Sequence, residues 1–344
     1  MRSLYEKRVN DVLQGFNDLT KTLKIVDIGG VGAQHLPVAQ VCLILRFLPN
    51  LMSLGSFERT GAAVETLYEE DPSLRFKLVY LHDLYTHKQR MNIIITACPK
   101  LQGIYLDCAK GSAVQNIHLL KELKDLKLHK IKWTDVEIAL RGLNTRLRTI
   151  YLSTIWGTTD IYTLSQCCQN LTRIELHAAS LTNSSSEQSL DSLTRIFPEL
   201  LELHIYRTVL SSNMVRRLFS CSDQLEHIAF GDCNQLSDSD LLSCINSSHL
   251  RNLRELWFGQ ACNLSLASLT SLMENCPAIT SIGNLACWGL GPGETSFIKM
   301  QLSLTNTDLT LHDYGSDQEE DGFVLVLGLV GDEQQEELGD RAEE

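Results

Sequence analysis

The residues in this 344-residue chain that could do chemistry are ten histidines, eleven cysteines and one glycine-rich turn. The turn, Asp27-Ile-Gly-Gly-Val-Gly32, puts glycines between a strand-like stretch and a helix, where backbone amides can cradle a phosphate. Counted from Gly30, however, the third glycine of G-x-G-x-x-G is replaced by His35, and no doubly wound unit follows. A nucleotide cofactor is therefore not expected. The nearest histidine pair, His82 and His87, has no cysteine or carboxylate motif at ligand spacing, so it reads as a solvated pair and no metal is expected. The chain also holds no P-loop, no H-E-x-x-H, no G-x-S-x-G and no kinase set. What these absences predict is a protein that binds rather than one that catalyses, with no cofactor.

Periodicity is the strongest signal. Leu225, Ile228 and Phe230 stand at offsets 0, 3 and 5, Cys233 at offset 8, and an amphipathic run from Ser237 to Ser247 follows. The period-2 pair points to one side of a short strand, and Leu241, Leu242 and Ile245 form the inner stripe of a returning helix. The same 0-3-5 signature recurs at Leu23/Val26/Ile28, Leu51/Leu54 with Ser56, Phe76/Val79/Leu81, Leu101/Ile104/Leu106 and Leu123/Leu126/Leu128. It continues at Leu147/Ile150/Leu152, Leu171/Ile174/Leu176, Leu200/Leu203/Ile205, Leu253/Leu256/Phe258 and Ile279/Ile282 with Asn284. The eleven starts are 22 to 29 residues apart. This is the formula L-x-x-L-x-L-x-x-N/C-x-L of leucine-rich repeats. The expected fold is α/β: a right-handed solenoid or horseshoe of about 11–12 units, with a parallel sheet inside and helices outside.

Punctuation agrees with that spacing. Pro49, Pro72, Pro99, Pro198 and Pro277 fall two to four residues before a strand motif, where a helix must already have ended. Thr134-Asp-Val-Glu137 is a capping box opening a helix that runs to Leu143. Residues 1–22 carry Leu4, Val9, Val12, Leu13, Phe16 and Leu19 at helical spacing, as in a capping helix or partial repeat. Asn183 to Ser189 reads as a polar surface loop. After Ile279 the pattern frays: Phe297/Met300/Leu302 or Leu302/Leu304 could seed a final unit, and Leu309/Leu311 an edge strand.

Charge divides the chain in two. Of the formal net charge of −12, the stretch 313–344 holds twelve Asp/Glu against Arg341, which leaves residues 1–312 almost neutral. The expectation is one solenoid over 1–312 and an acidic, disordered tail over 313–344. That tail is interrupted by Phe323-Val-Leu-Val-Leu-Gly-Leu-Val-Gly331, which is either a sticky island or a docking strand. Nucleic acid would need a basic face, and a membrane span about 20 apolar residues, so neither partner is expected. MRSLYEKRVN carries charges and no apolar signal region. Cys108, Cys233, Cys262 and Cys287 lie seven to nine residues after a repeat start; Cys98, Cys167, Cys168, Cys221 and Cys276 lie three or four before one. With an odd count and no C-x-x-C, they read as reduced structural thiols of a cytoplasmic or nuclear protein. The four sequons, at Asn170, Asn183, Asn246 and Asn263, are then chance matches in a chain rich in Ser and Asn.

Cys98-Pro-Lys-Leu101, Cys276-Pro-Ala-Ile279 and Gly-Asp-Cys233-Asn-Gln-Leu236-Ser-Asp add a narrower likeness. Over residues 23 to about 290 the chain resembles the cysteine-containing repeats of F-box/leucine-rich-repeat proteins. That resemblance implies recruitment of a protein substrate to an SCF-type ubiquitin ligase. The 22 residues before the first repeat have no Leu-Pro-x-Glu start and are too few for a three-helix F-box. A ligase adaptor would be a partner only if an F-box is supplied elsewhere. The alternative is a scaffold or inhibitor unconnected with ubiquitin.

Offsets 2, 4 and 6 must face away from the core. Read from the 0-3-5 starts, offset 4 carries Tyr80, Tyr105, Lys127, Tyr151, Glu175, His204 and Trp257; offset 6 carries Phe57, His82, Asp107, His129, His177 and Tyr206. A merely solvated face would hold Lys, Glu, Ser and Thr. These thirteen residues are the candidate protein-binding site on the concave face, with Tyr80, Tyr105, Lys127 and Tyr151 as a continuous ridge. The alternative is that neighbouring rings only cover one another.

Overall fold

The computed structural model describes residues 23–26, 36–55, 57–182, 196–247, 250–291, 293–305 and 308–313. The expected helix in 1–22, the glycine turn at 29–32, the polar loop at 183–189 and the acidic tail beyond 313 with its apolar island lie outside them.

Ten strands form one parallel sheet: β1 (Tyr80–Leu84), β2 (Gly103–Asp107), β3 (Asp125–His129), β4 (Thr149–Ser153), β6 (Arg173–His177), β8 (Glu202–Val209), β9 (His227–Asp232), β10 (Glu255–Phe258), β11 (Ser281–Gly283) and β12 (Thr310–Leu311). Two short strands, β5 (Thr158–Asp160) and β7 (Ser180–Thr182), pair beside it. Register keeps like offsets together: Ile104, Leu126, Ile150 and Ile174 meet in one row, and Leu106, Leu128, Leu152 and Leu176 in the next. These rows are buried and merge with the helices into one continuous core. Each such side chain contributes roughly 1.5–3 kcal/mol, so the whole array rests on the repetition of the row.

Helices return the chain between strands: α1 (Val38–Phe47), α2 (Thr60–Glu70), α3 (Lys88–Ala97), α4 (Gly111–Val114), α5 (Trp133–Leu143), α6 (Ile161–Cys167), α7 (Ser212–Phe219), α8 (Asp238–Ser247), α9 (Leu266–Asn275) and α10 (Glu294–Thr305). In α5 the buried Val136, Ala139, Leu140 and Leu143 recur at three- and four-residue steps, while Ile138 faces out. The helix begins at Trp133, one residue before the expected capping box. α8 matches the expected return run; Leu241 and Ile245 are buried and Leu242 half-buried. Some caps come from a neighbouring unit. The Asp83 carboxylate accepts the Ala62 amide of α2, and Asp238 accepts the Ser265 amide and the Ser265 and Ser268 hydroxyls at the start of α9.

Every strand needs an exit toward its helix, and seven units make it the same way. Tyr85, Cys108, Lys130, Thr154, Ala178, Arg207 and Gln260, all at offset 7, adopt left-handed backbone with φ between 47° and 57°. The amides of Tyr85, Cys108, Lys130, Thr154 and Ala178 then donate to offset-6 carbonyls of the following strand at 2.9–3.0 Å. None is glycine, so each holds a conformation that L-residues seldom adopt.

Three expectations are corrected. Pairing of Leu81 with Ile104 and of His82 with Tyr105 starts the third unit at Leu78, not Phe76. Its 0-3-5 set is Leu78/Leu81/Asp83, and an aspartate in the last apolar slot hid it; Phe76/Val79/Leu81 mimics the motif two residues early. Phe57 is not on the open strand face: Gly55 turns the chain at φ 61°, and Phe57 is 3% exposed within the core. Phe297, Met300 and Leu302 seed no strand. They lie in α10, with Ile298 and Leu302 buried one helical turn apart and Phe297 and Met300 outside. The expected edge strand at Leu309/Leu311 is β12.

Candidate functional site

With the third unit corrected, the rows on the open strand face can be read directly. At offset 4 they run His82, Tyr105, Lys127, Tyr151, Glu175, His204, Ala229, Trp257 and Gly283. Tyr80 moves to offset 2 beside Gly103, and His82 takes the slot next to Tyr105. The expected ridge of three tyrosines around Lys127 is therefore His82–Tyr105–Lys127–Tyr151. Asp107 and His129 pair at offset 6, as do His177 and Tyr206. Twelve of the thirteen expected residues lie on this face, and Phe57 does not.

The rings cover one another in part. His82, itself only 5% exposed, stacks on Tyr105 with centroids 4.1 Å apart. His177 sits between Tyr151 at 5.2 Å and Tyr206 at 4.7 Å, and His204 lies 6.1 Å from Tyr206. The Lys127 ammonium is 5.7 Å from the Tyr151 ring centre, a cation over a π face. Trp257 covers Gly283, whose missing side chain makes the room, and stacks on His312 at 5.1 Å. Tyr80 crosses Gly103 in the same manner to bring its hydroxyl 3.3 Å from Asp125 Oδ2. Among the named site residues Tyr80 is the most open, at 49%. The others are half-buried, apart from buried His82 and Glu175.

Polar chemistry centres on Glu175, which is 3% exposed. Its Oε1 lies 3.0 Å from His177 Nε2, and its Oε2 accepts from Arg173 Nη2 at 3.1 Å. Arg173 Nη1 also reaches Glu202 Oε2 at 3.0 Å, and His227 Nδ1 lies 3.3 Å from Glu255 Oε2. Burial pushes Glu175 up, but the hydrogen bond and charge of His177 and the charge of Arg173 hold it below the usual glutamate range. Burial and the Arg173 charge pull His204 down to about 4, leaving it neutral at pH 7. Burial raises Tyr105, Tyr151 and Tyr206, so these phenols stay protonated as donors.

Arg173, Glu202, His227 and Glu255 were missed as site residues. They share offset 2 in successive units, and alternating charge in that column is the signal that would have found them. Among the described residues no group of three or more His, Cys, Asp or Glu is arranged to hold a metal, and no helix is long and apolar enough to cross a membrane. None of the eleven cysteines forms a disulfide. Burial pushes Cys98, Cys168, Cys221 and Cys244 up to about 12, which makes them poor nucleophiles.

A parallel sheet with one strand per 22–29-residue unit, a buried 0-3-5 row and helices on one side defines a leucine-rich-repeat solenoid. No family model matches the chain. Similar solved structures include the leucine-rich-repeat protein LIC12759 of Leptospira interrogans, at 15% identity, TM-score 0.46, and 86% coverage of this chain and 74% of that one. A chain of the Rad7–Elc1 complex of yeast is similar at 13% identity, TM-score 0.45, and coverage of 91% and 89%. TLR13, in the TLR13–ssRNA13 complex, is similar at 16% identity and TM-score 0.44; 77% of this chain spans 40% of that one.

Proposed function

We propose that the protein is a non-catalytic recognition module that binds a protein partner on the open strand face between β1 and β10. One observation carries this reading: nine of the twelve expected residues found on that face are aromatic or histidine, where a solvated sheet would carry short polar or charged groups. Rigid rings held by their neighbours offer contact area at low entropic cost. The finer reading is substrate recruitment for an SCF-type ubiquitin ligase in the cytoplasm or nucleus. The cysteine-containing repeat variant supports it, with the adaptor engaged through an F-box supplied elsewhere.

The test is affinity capture with the full chain, wild type against Tyr105→Ala/Tyr151→Ala. Both rings point away from the helices, so the melting temperature should hold, while truncation of central rings loses ~2 kcal/mol of binding or more. A protein retained by wild type and lost from the variant is the expected result. Equal retention, or an unfolded variant, removes this face as the site. Adaptor and cullin subunits in the captured set mark the ligase role; a captured partner without them marks a scaffold or inhibitor.

A further inference from the structure

The recognition face carries an uneven charge that says what its partner must offer. Across offsets 2, 4 and 6 of β1 to β12, five carboxylates point outward from the sheet: Asp107, Asp125, Glu175, Glu202 and Glu255. Only two cations share those positions, Lys127 and Arg173. Arg173 is locked between Glu175 and Glu202. Six of the ten histidines also stand on these rows: His82, His129, His177, His204, His227 and His312. With the imidazoles neutral, the face holds a surplus of three negative charges, whereas the chain up to residue 312 is nearly neutral.

Two details give the surplus a direction. Asp125 accepts the Tyr80 hydroxyl at 3.3 Å and Glu255 lies 3.3 Å from His227 Nδ1, so the partners shown for these two carboxylates are a phenol and an imidazole, not a lysine or arginine. The face also shows how it receives a cation, because Lys127 already lies over the Tyr151 ring. Asp107 and Asp125 stand four residues apart along neighbouring strands, so by strand geometry about 14 Å separates them. An extended segment of about five residues spans that distance, and Glu255, five strands further across the sheet in the row of Asp125, lies roughly 24 Å away, within reach of an extended segment of about eight residues.

We infer that the partner presents a cationic segment to this face, with lysine or arginine side chains received by Asp107, Asp125 and Glu255 and flanked by Tyr80, Tyr105 and Trp257. This rests on the recognition reading and adds the partner's chemistry to it. A face with a surplus of one sign concentrates opposite charge, and salt weakens that attraction.

The experiment uses fluorescein-labelled nona-arginine and nona-glutamate with the full chain, followed by fluorescence anisotropy at low and at physiological salt. Nona-arginine should bind wild type about tenfold more tightly than the Asp107→Asn/Asp125→Asn/Glu255→Gln variant. Lys127→Gln should bind it more tightly than wild type, a gain that misfolding does not produce. Equal affinity for all three proteins would assign the binding to the acidic C-terminal stretch, which none of these variants alters, and overturn the inference. So would preferential binding of nona-glutamate. A partner lost from Tyr105→Ala/Tyr151→Ala but held at full strength by the triple variant would leave recognition standing and remove the cationic partner.

Discussion

His204 ties a single residue to the pH range in which the protein holds together. Its folded pKa is about 4, against 6.5 for an ordinary histidine. Between those values the unfolded chain binds the extra proton, so stability falls as pH drops from about 6.5 and the whole contribution is gone below about 4. The full depth is at most ~3 kcal/mol, since the imidazole is only half-buried. Glu175 acts in the same direction. Its depressed carboxylate supports the fold above the ordinary glutamate pKa of 4.5 and loses that support as pH falls through the lower folded value. Urea unfolding of His204→Gln at pH 7 and pH 5 should show a smaller difference than wild type; an unchanged difference would contradict the assignment. Residues such as these were legible in type and column. Their burial was not, because pairing His82 with Tyr105, or His177 with Tyr151 and Tyr206, depends on which way each ring leans. Phe57 shows the limit from the other side. Alternation predicts its direction only while the chain remains a strand, and Gly55 had already ended it.

At the scale of elements, the 0-3-5 row located eight of the ten strands of the main sheet, because burial of that row is what positions such a strand at all. It failed at β1 for a physical reason. Asp83 is fully buried in the slot that Leu106 and Leu128 fill in the next units, and it is held there by Arg90 Nη1 at 3.2 Å, Thr86 Oγ1 at 2.6 Å and the Ala62 amide at 3.0 Å. Gly61 follows from the same arrangement, because a Cβ there would run into the Asp83 carboxyl group. Burial raises the Asp83 pKa against the charge of Arg90. Asp83→Leu restores the apolar row but takes one of two carboxylates from Arg90, which keeps Glu65 Oε2 at 2.8 Å, and it leaves the Thr86 hydroxyl and the Ala62 amide without their acceptor, so it should cost about 1–3 kcal/mol. Adding Arg90→Met should deepen the loss, since it takes from Glu65 its 2.8 Å partner and leaves it His87 at 3.4 Å. Chemical denaturation of the single and double variants checks this. A double variant as unstable as the single would show that capping of α2, not the ion pair, dominates.

The molecule as a whole is a chain of units in which each sheet strand pairs only with its neighbours, so its ends and its middle need not open together. Among the described residues the first unit is the less covered: Leu23, in a core slot, is 38% exposed, whereas Leu51 in the next unit is 2% exposed. The left-handed exit at offset 7 turns this into something that can be timed. Each exit amide is clasped by the following strand, so its exchange with deuterium reports the parting of one particular pair of units. Proton lifetimes measured in sequence along Tyr85, Cys108, Lys130, Thr154 and Ala178 should lengthen from Tyr85 toward Thr154, at the middle of the sheet. Equal lifetimes at all five would mean that the array opens as a single body. A gradient would give the order in which it unzips, and would say which units are still closed when the open strand face first comes apart.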